Sequence, residues 1–185
     1  MLAGGYAIAM HELTSRPSHD VDFATASPLP LPEIVERLAD AYRAEGLAVT
    51  VVEVTRRMAR MELRAETQMC EVDLLKEAIG PPVRCSVGPV VAIDDAIGLK
   101  MRALHDRALH RDFIDVHAAA RSGYRPGDLE RFGRRHTPHF STTSSQTPLN
   151  VMRLTRGQGG PPVHMRSRSG VAGVANRLAE ATSGW

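Results

Sequence analysis

Hydrophobic and polar positions along the first 135 residues fall into a succession of short elements. Tyr6 to Leu13 mixes alanines with long side chains, which favours helix; the pair Gly4-Gly5 before it sits poorly inside one, so a helix is expected to start there. Val21 and Phe23 alternate with Asp20 and Asp22, the period of a strand with apolar side chains on one face and carboxylates on the other. Pro28, Pro30 and Pro32 interrupt the chain. From Glu33 to Glu45, Ile34, Val35, Leu38, Ala41 and Tyr42 recur at helical spacing, and Gly46 is a natural stop. The period then shortens to two. Residues 48–54, 58–63 and 69–75 read as consecutive antiparallel strands separated by short polar breaks. Gly80-Pro81-Pro82 turns the chain, Val90 to Ala92 forms a short extended piece, and Asp94 or Asp95 is expected to cap a helix running to about Arg107. Two more helices are expected, Asp112 to Arg121 and Pro126 to about Arg135.

Beyond His136 the periodicity stops. Ser141-Thr142-Thr143-Ser144-Ser145, Gly157-Gln158-Gly159-Gly160-Pro161-Pro162 and Arg166-Ser167-Arg168-Ser169-Gly170 bury too little apolar surface to offset the entropy of ordering them. Disorder is expected there, with a short helix only over Val171 to Ala181. The pattern predicts an α+β fold, a small mixed or antiparallel sheet flanked by helices. It divides into a core over residues 1–92, a helical segment over 93–135 and a basic tail over 136–185.

At 185 residues the chain supports one core of ordinary size. Hydrophobic residues at 43% and charged residues at 24% exclude collagen-like and wholly disordered classes. No apolar run reaches membrane-spanning length and Met1 to Gly5 lacks the pattern of a signal peptide, so a cytoplasmic protein without a membrane partner is expected. Cys70 and Cys85 form no metal-binding or disulfide-dense pattern and read as ordinary thiols. The net charge of +2 conceals an asymmetry: residues 1–120 hold thirteen Lys and Arg against eighteen Asp and Glu, whereas residues 121–185 hold ten against three. An acidic body suits cation binding and a basic tail suits a phosphate-bearing partner.

The carboxylates supply the candidate chemistry. Asp20 and Asp22, two apart on an extended chain, point to one side, where their oxygens can converge on a hard cation. Asp73 repeats the local pattern, an acid between Val72 and Leu74, with Glu71 on its face. If that strand lies beside the first, the three acids meet and can hold two Mg²⁺ ions for an in-line phosphoryl or nucleotidyl displacement. Gly4-Gly5 lets backbone approach a nucleotide phosphate at the start of a helix. The remaining features carry less. His105, His110 and His117 lack the spacing of facing zinc ligands, Ser18 and His19 lack a triad context, and Arg56, Arg57, Arg60 and Arg64 form either a solvated strand face or a phosphate contact.

Leu2-Ala3-Gly4-Gly5-Tyr6-Ala7-Ile8-Ala9 followed by Arg16-Pro17-Ser18-His19-Asp20-Val21-Asp22-Phe23 resembles the opening motif of AbiEii-type nucleotidyltransferases. These are toxins of type IV toxin–antitoxin systems within the DNA polymerase β-like superfamily. Asp94 to Leu104, Arg107 and Arg111-Asp112-Phe113-Ile114-Asp115 are similar to the helical signature that follows the sheet in those proteins. The resemblance spans residues 2 to about 135. It implies a nucleotidyltransferase-like core, Mg²⁺-dependent transfer of a nucleoside monophosphate from an NTP to an acceptor hydroxyl, an RNA acceptor such as tRNA, and a cognate antitoxin. It implies Asp20, Asp22 and Asp73 as metal ligands, with Asp73 also a catalytic base, and Gly4 and Gly5 as the phosphate-approaching turn. Lys100 would meet the nucleotide's phosphates and Asp112 would pair with it. Relatives carry a helix and a strand before the motif, so the core is expected to be short at its N-terminal end. Two alternatives stand beside this reading: the same chemistry on a small molecule, or a truncated module that binds nucleotide or a partner without turnover.

Overall fold

The computed structural model describes residues 1–18 and 20–137. His19, the low-complexity tail and the helix expected over Val171 to Ala181 lie outside the described residues. The chain order is α1 (Gly4–Met10), β1 (Val21–Thr25), α2 (Leu31–Ala44), β2 (Ala48–Val54), β3 (Met58–Ala65), β4 (Gln68–Lys76), β5 (Val83–Cys85), β6 (Gly88–Val90), α3 (Ile93–Arg107), α4 (His110–Arg121) and α5 (Pro126–His136). The elements expected from periodicity are present, with boundaries moved by a few residues. Pro32 enters the first turn of α2, where its missing N–H costs nothing because that group has no helical acceptor. Ala92, not an aspartate, occupies the N-cap of α3. Asp95 is drawn elsewhere: its carboxylate accepts the Gly80 N–H at 2.7 Å and lies 3.2 Å from His136 Nε2.

Four strands form a mixed sheet in the order β1-β4-β3-β2. β2 with β3 and β3 with β4 are antiparallel, as the consecutive strand pattern predicts. β1 runs parallel to β4, with Val21 opposite Val72, Asp22 opposite Asp73 and Phe23 opposite Leu74. The other edge of β1 is taken by the N-terminal residues. Leu2 bridges to Phe23 and Val90, donating to the Pro89 carbonyl at 2.8 Å and accepting from the Val91 N–H at 2.9 Å. The β5–β6 hairpin, of which only the second limb shows in the apolar pattern, is thereby joined to β1.

The register sorts the sheet into two faces. Val21, Phe23, Ala59, Met61, Leu63, Val72 and Leu74 share one face and are buried in a cluster with Leu31, Val35 and Tyr42 of α2 and Ile97, Met101 and Leu104 of α3. Asp22, Asp73 and Arg60 share the opposite face in a row across three strands, with Glu71 and Glu62 in the next row. α5 closes on α3 over Gly98, where a Cβ would stand 2.5 Å from the His136 ring and 2.6 Å from the Phe132 carbonyl. Among the described residues no helix is long and apolar enough to cross a membrane, and both cysteines are free.

Candidate active site

The start of α1 is built against β1. Ala3 donates its N–H to the Asp22 carbonyl at 2.8 Å. Gly4 then adopts φ +58, and a Cβ there would lie 1.7 Å from Asp22 Oδ2. Glycine is therefore required twice over at this position, for the left-handed backbone and for the space the carboxylate occupies. Gly5 is packed nearly as closely: a Cβ would meet Ser18 Oγ at 2.9 Å and the Arg16 guanidinium at 3.3 Å. Ser18 itself donates to the Asp20 carbonyl at 3.2 Å.

The parallel pairing of β1 with β4 brings Asp22 and Asp73 side by side, and Asp20 stands just before β1. Burial pushes the Asp22 carboxyl above its ordinary range, the charges of Asp73 and Asp20 push it further, and Lys100 and Arg111 oppose them. Each outer acid is held by an arginine. Arg60, opposite Asp73 in the β3–β4 register, donates to both of its oxygens at 2.8 and 2.7 Å and lies 3.3 Å from Glu71. Arg111, in the first turn of α4, donates to Asp20 Oδ2 at 3.2 Å. Two of the other expected basic positions turn to different partners: Arg57 lies 3.5 Å from Glu77 and Arg64 3.8 Å from Glu62.

Lys100 occupies the floor of the site. It is 8% exposed, and its Nζ lies 2.9 Å from Asp115 and 3.5 Å from Asp112, two carboxylates with no exposure at all. The expected Lys100–Asp112 pair is therefore the longer of two contacts. Arg16 donates three hydrogen bonds to Asp115 at 2.9 to 3.2 Å, and Arg107 donates two to Asp112 at 2.9 and 3.2 Å. Three cations on two buried carboxylates make a rigid box, and Lys100 still acts electrostatically on Asp22. Arg16, Arg107 and Asp115 stand in the motifs that carry the family resemblance, but the sequence assigned them no role in the site. Asp112 and Asp115 are three apart on α4 and so lie on one helical face, which is the signal that both serve the same partner.

The donor set suits a hard divalent cation in its chemistry: oxygen ligands only, two acids in register on one face, and an Asp22 carboxyl raised by burial and further by the neighbouring acids. The spacing is looser. Among the described residues no three His, Cys, Asp or Glu side chains stand close enough to share one ion, and arginines serve as counter-charges to Asp20 and Asp73. Asp22, Asp20 and Asp73 are the residues that would hold a cation.

Comparison with known proteins gives the same direction. The family model described as nucleotidyl transferase AbiEii toxin, type IV TA system, matches residues 1–158. A crystal structure of a nucleotidyltransferase candidate from H. pylori superposes with a TM-score of 0.53 at 18% identity, covering 72% of this chain and 68% of that one, a likeness of fold. None of the curated proteins matches the chain significantly.

Proposed function

Because the chain belongs to the AbiEii nucleotidyltransferase toxin family of type IV toxin–antitoxin systems, we propose that it moves a nucleoside monophosphate from an NTP to an RNA hydroxyl with the carboxylates of β1 and β4. The observation that carries this reading is the in-register placement of Asp22 beside Asp73 under the Gly4 turn. In the reaction an acceptor hydroxyl oxygen attacks the α-phosphorus, a P–O bond forms, the bond to the β-phosphate oxygen breaks, and pyrophosphate leaves with that electron pair. Asp20, Asp22 and Asp73 would hold Mg²⁺, which when bound would supply acidity to the hydroxyl and neutralise charge on the leaving group. Gly4 and Gly5, without side chains, let the start of α1 pack directly against Asp22 and Ser18, which brings its backbone beside the carboxylates where a phosphate would be held. Lys100, fixed by Asp115 and Asp112, offers a cation whose position costs no reorganisation when a triphosphate arrives. Asp73 is the proton acceptor, and Arg60 fixes the orientation of its carboxylate. The residue ranges 1–92 and 93–135 act as catalytic core and supporting helices, since Lys100 and its two acids come from the second range. The cognate antitoxin and a cytoplasmic location follow from the family.

Transfer from each α-labelled NTP to total tRNA in Mg²⁺, compared between the parent chain and Asp22→Ala, tests the reading. Label on RNA from the parent and none from the variant is expected. Transfer to a small hydroxyl compound alone would replace RNA as the acceptor. Nucleotide binding without transfer would favour the non-catalytic module, a reading that the arginine-held Asp20 and Asp73 make specific.

A further inference from the structure

Five basic groups border the carboxylates, and four of them are committed. Lys100 and Arg16 are tied to Asp115, which has no exposure; Arg107 holds the equally buried Asp112; and Arg60 grips Asp73 through both oxygens. Arg111 differs from all of them. Its bond to Asp20 is a single contact of 3.2 Å, with 45% of its own side chain and 37% of the aspartate's exposed, the class of ion pair that water and salt weaken most. Its charge also reaches Asp22. The acid it covers is the one a cation needs besides Asp22, and the first turn of α4 on which it stands is the turn that carries Asp112 to Lys100.

We propose that Arg111 is an exchangeable counter-ion: it neutralises Asp20 while the site is without metal, and passes to the phosphates of the nucleotide when a divalent cation takes Asp20. The inference rests on the nucleotidyltransferase reading and adds to it a residue with two opposed effects. A guanidinium on Asp20 competes with the cation for the same oxygen. The same guanidinium, once released at the rim of the site, has the planar fork that matches phosphate oxygens. Exchange leaves no carboxylate or phosphate without a counter-charge, because the cation replaces the positive charge that Arg111 takes from Asp20 and the phosphates receive the guanidinium. An ordinary structural ion pair would show neither effect toward metal nor toward nucleotide.

The test measures both affinities without requiring turnover. Mn²⁺ binding to the nucleotide-free protein is followed by electron paramagnetic resonance, and binding of ATP, GTP, CTP and UTP in Mn²⁺ by calorimetry. The parent is compared with Arg111→Gln, Arg111→Lys and, as a distant control on the last turn of the same helix, Arg121→Gln. Arg111→Gln is expected to bind Mn²⁺ about two- to five-fold more tightly, the worth of an exposed ion pair, and the preferred nucleotide about ten-fold more weakly, the worth of a charge-assisted contact. Arg111→Lys keeps the charge and should recover most of the nucleotide affinity; Arg121→Gln should match the parent in both. Mn²⁺ affinity unchanged or lowered in Arg111→Gln, or nucleotide affinity unchanged, overturns the exchange. A parent that binds neither probe overturns the function itself, whereas a parent that transfers nucleotide beside an Arg111→Gln protein of parental affinities overturns this inference alone.

Discussion

Asp115→Asn tests the buried charge box by removing one negative charge at constant volume. In the parent, Asp115 has no exposed surface, accepts three hydrogen bonds from Arg16 and lies 2.9 Å from the Lys100 ammonium. Asparagine keeps one acceptor oxygen and turns an amide donor toward a guanidinium and an ammonium that can only donate. Asp112, held by Lys100 and Arg107, is then the one carboxylate left in the box, and Arg16 loses its anionic partner. Breaking one partner out of a buried pair costs about 3–5 kcal/mol, and for a fold of this size each kcal/mol moves the melting temperature by about 4 °C. A fall of roughly 12–20 °C is therefore expected in a thermal melt followed by circular dichroism. Asp40→Asn is the matched control, since its ion pair with Arg43 leaves 69% of the aspartate and 51% of the arginine exposed; it should cost less than about 1 kcal/mol. Raising the salt should shrink the smaller effect and leave the larger one. Equal, small losses in the two variants would refute the claim that a buried network positions Lys100.

Three further outcomes follow from the same geometry. Gly4→Ala places a methyl 1.7 Å from the Asp22 carboxylate at φ +58, so it should abolish nucleotide transfer and cost more than about 2 kcal/mol; Gly46→Ala, at φ +82 in open space, should cost about 1 kcal/mol and leave transfer intact, as urea titration and the transfer assay can check. Burial and the neighbouring charges hold the folded Asp22 carboxyl above the ordinary 3.8, so the folded state binds the proton more tightly and metal-free stability falls as pH rises through that interval; Asp22→Asn should remove this slope and raise the melting temperature at neutral pH while abolishing transfer. Burial lowers the folded His136 pKa below 6.5 against the pull of Asp95, so the unfolded chain takes up the proton first and stability should drop as pH falls through 6.5; His136→Gln should flatten that part of the curve in melts from pH 7.5 to 5.

Local periodicity exposed most elements because β1, β3 and β4 each have one buried face, and Val21, Phe23, Val72 and Leu74 mark it at every second position. The same alternation placed Asp22 and Asp73 on the remaining face of their strands. It could not show that β1 pairs with β4, nor that the pairing is parallel, because nothing local to Val21–Thr25 encodes a partner some fifty residues away. Given that pairing, the meeting of Asp22 and Asp73 is forced by register. The Lys100 box was half legible: Lys100 stands out as one of two lysines in the chain, and Asp112 and Asp115 share a helix face, but Arg16 reaches Asp115 from a loop across 99 positions. Arg60 was legible as a strand-face cation and not as the holder of Asp73, which depends on the β3–β4 register. The hairpin limb Val83–Cys85 was missed because three residues, two of them exposed, are too short to show a period.

Anomalous diffraction from crystals grown with Mn²⁺ and a non-hydrolysable NTP reads the site directly. A metal peak bonded to carboxylate oxygens of Asp22 and Asp20, with Asp73 beside it and the triphosphate reaching from Gly4 and Gly5 to Lys100, is expected. A nucleotide bound elsewhere, or bound here with no metal peak on Asp22, would contradict it.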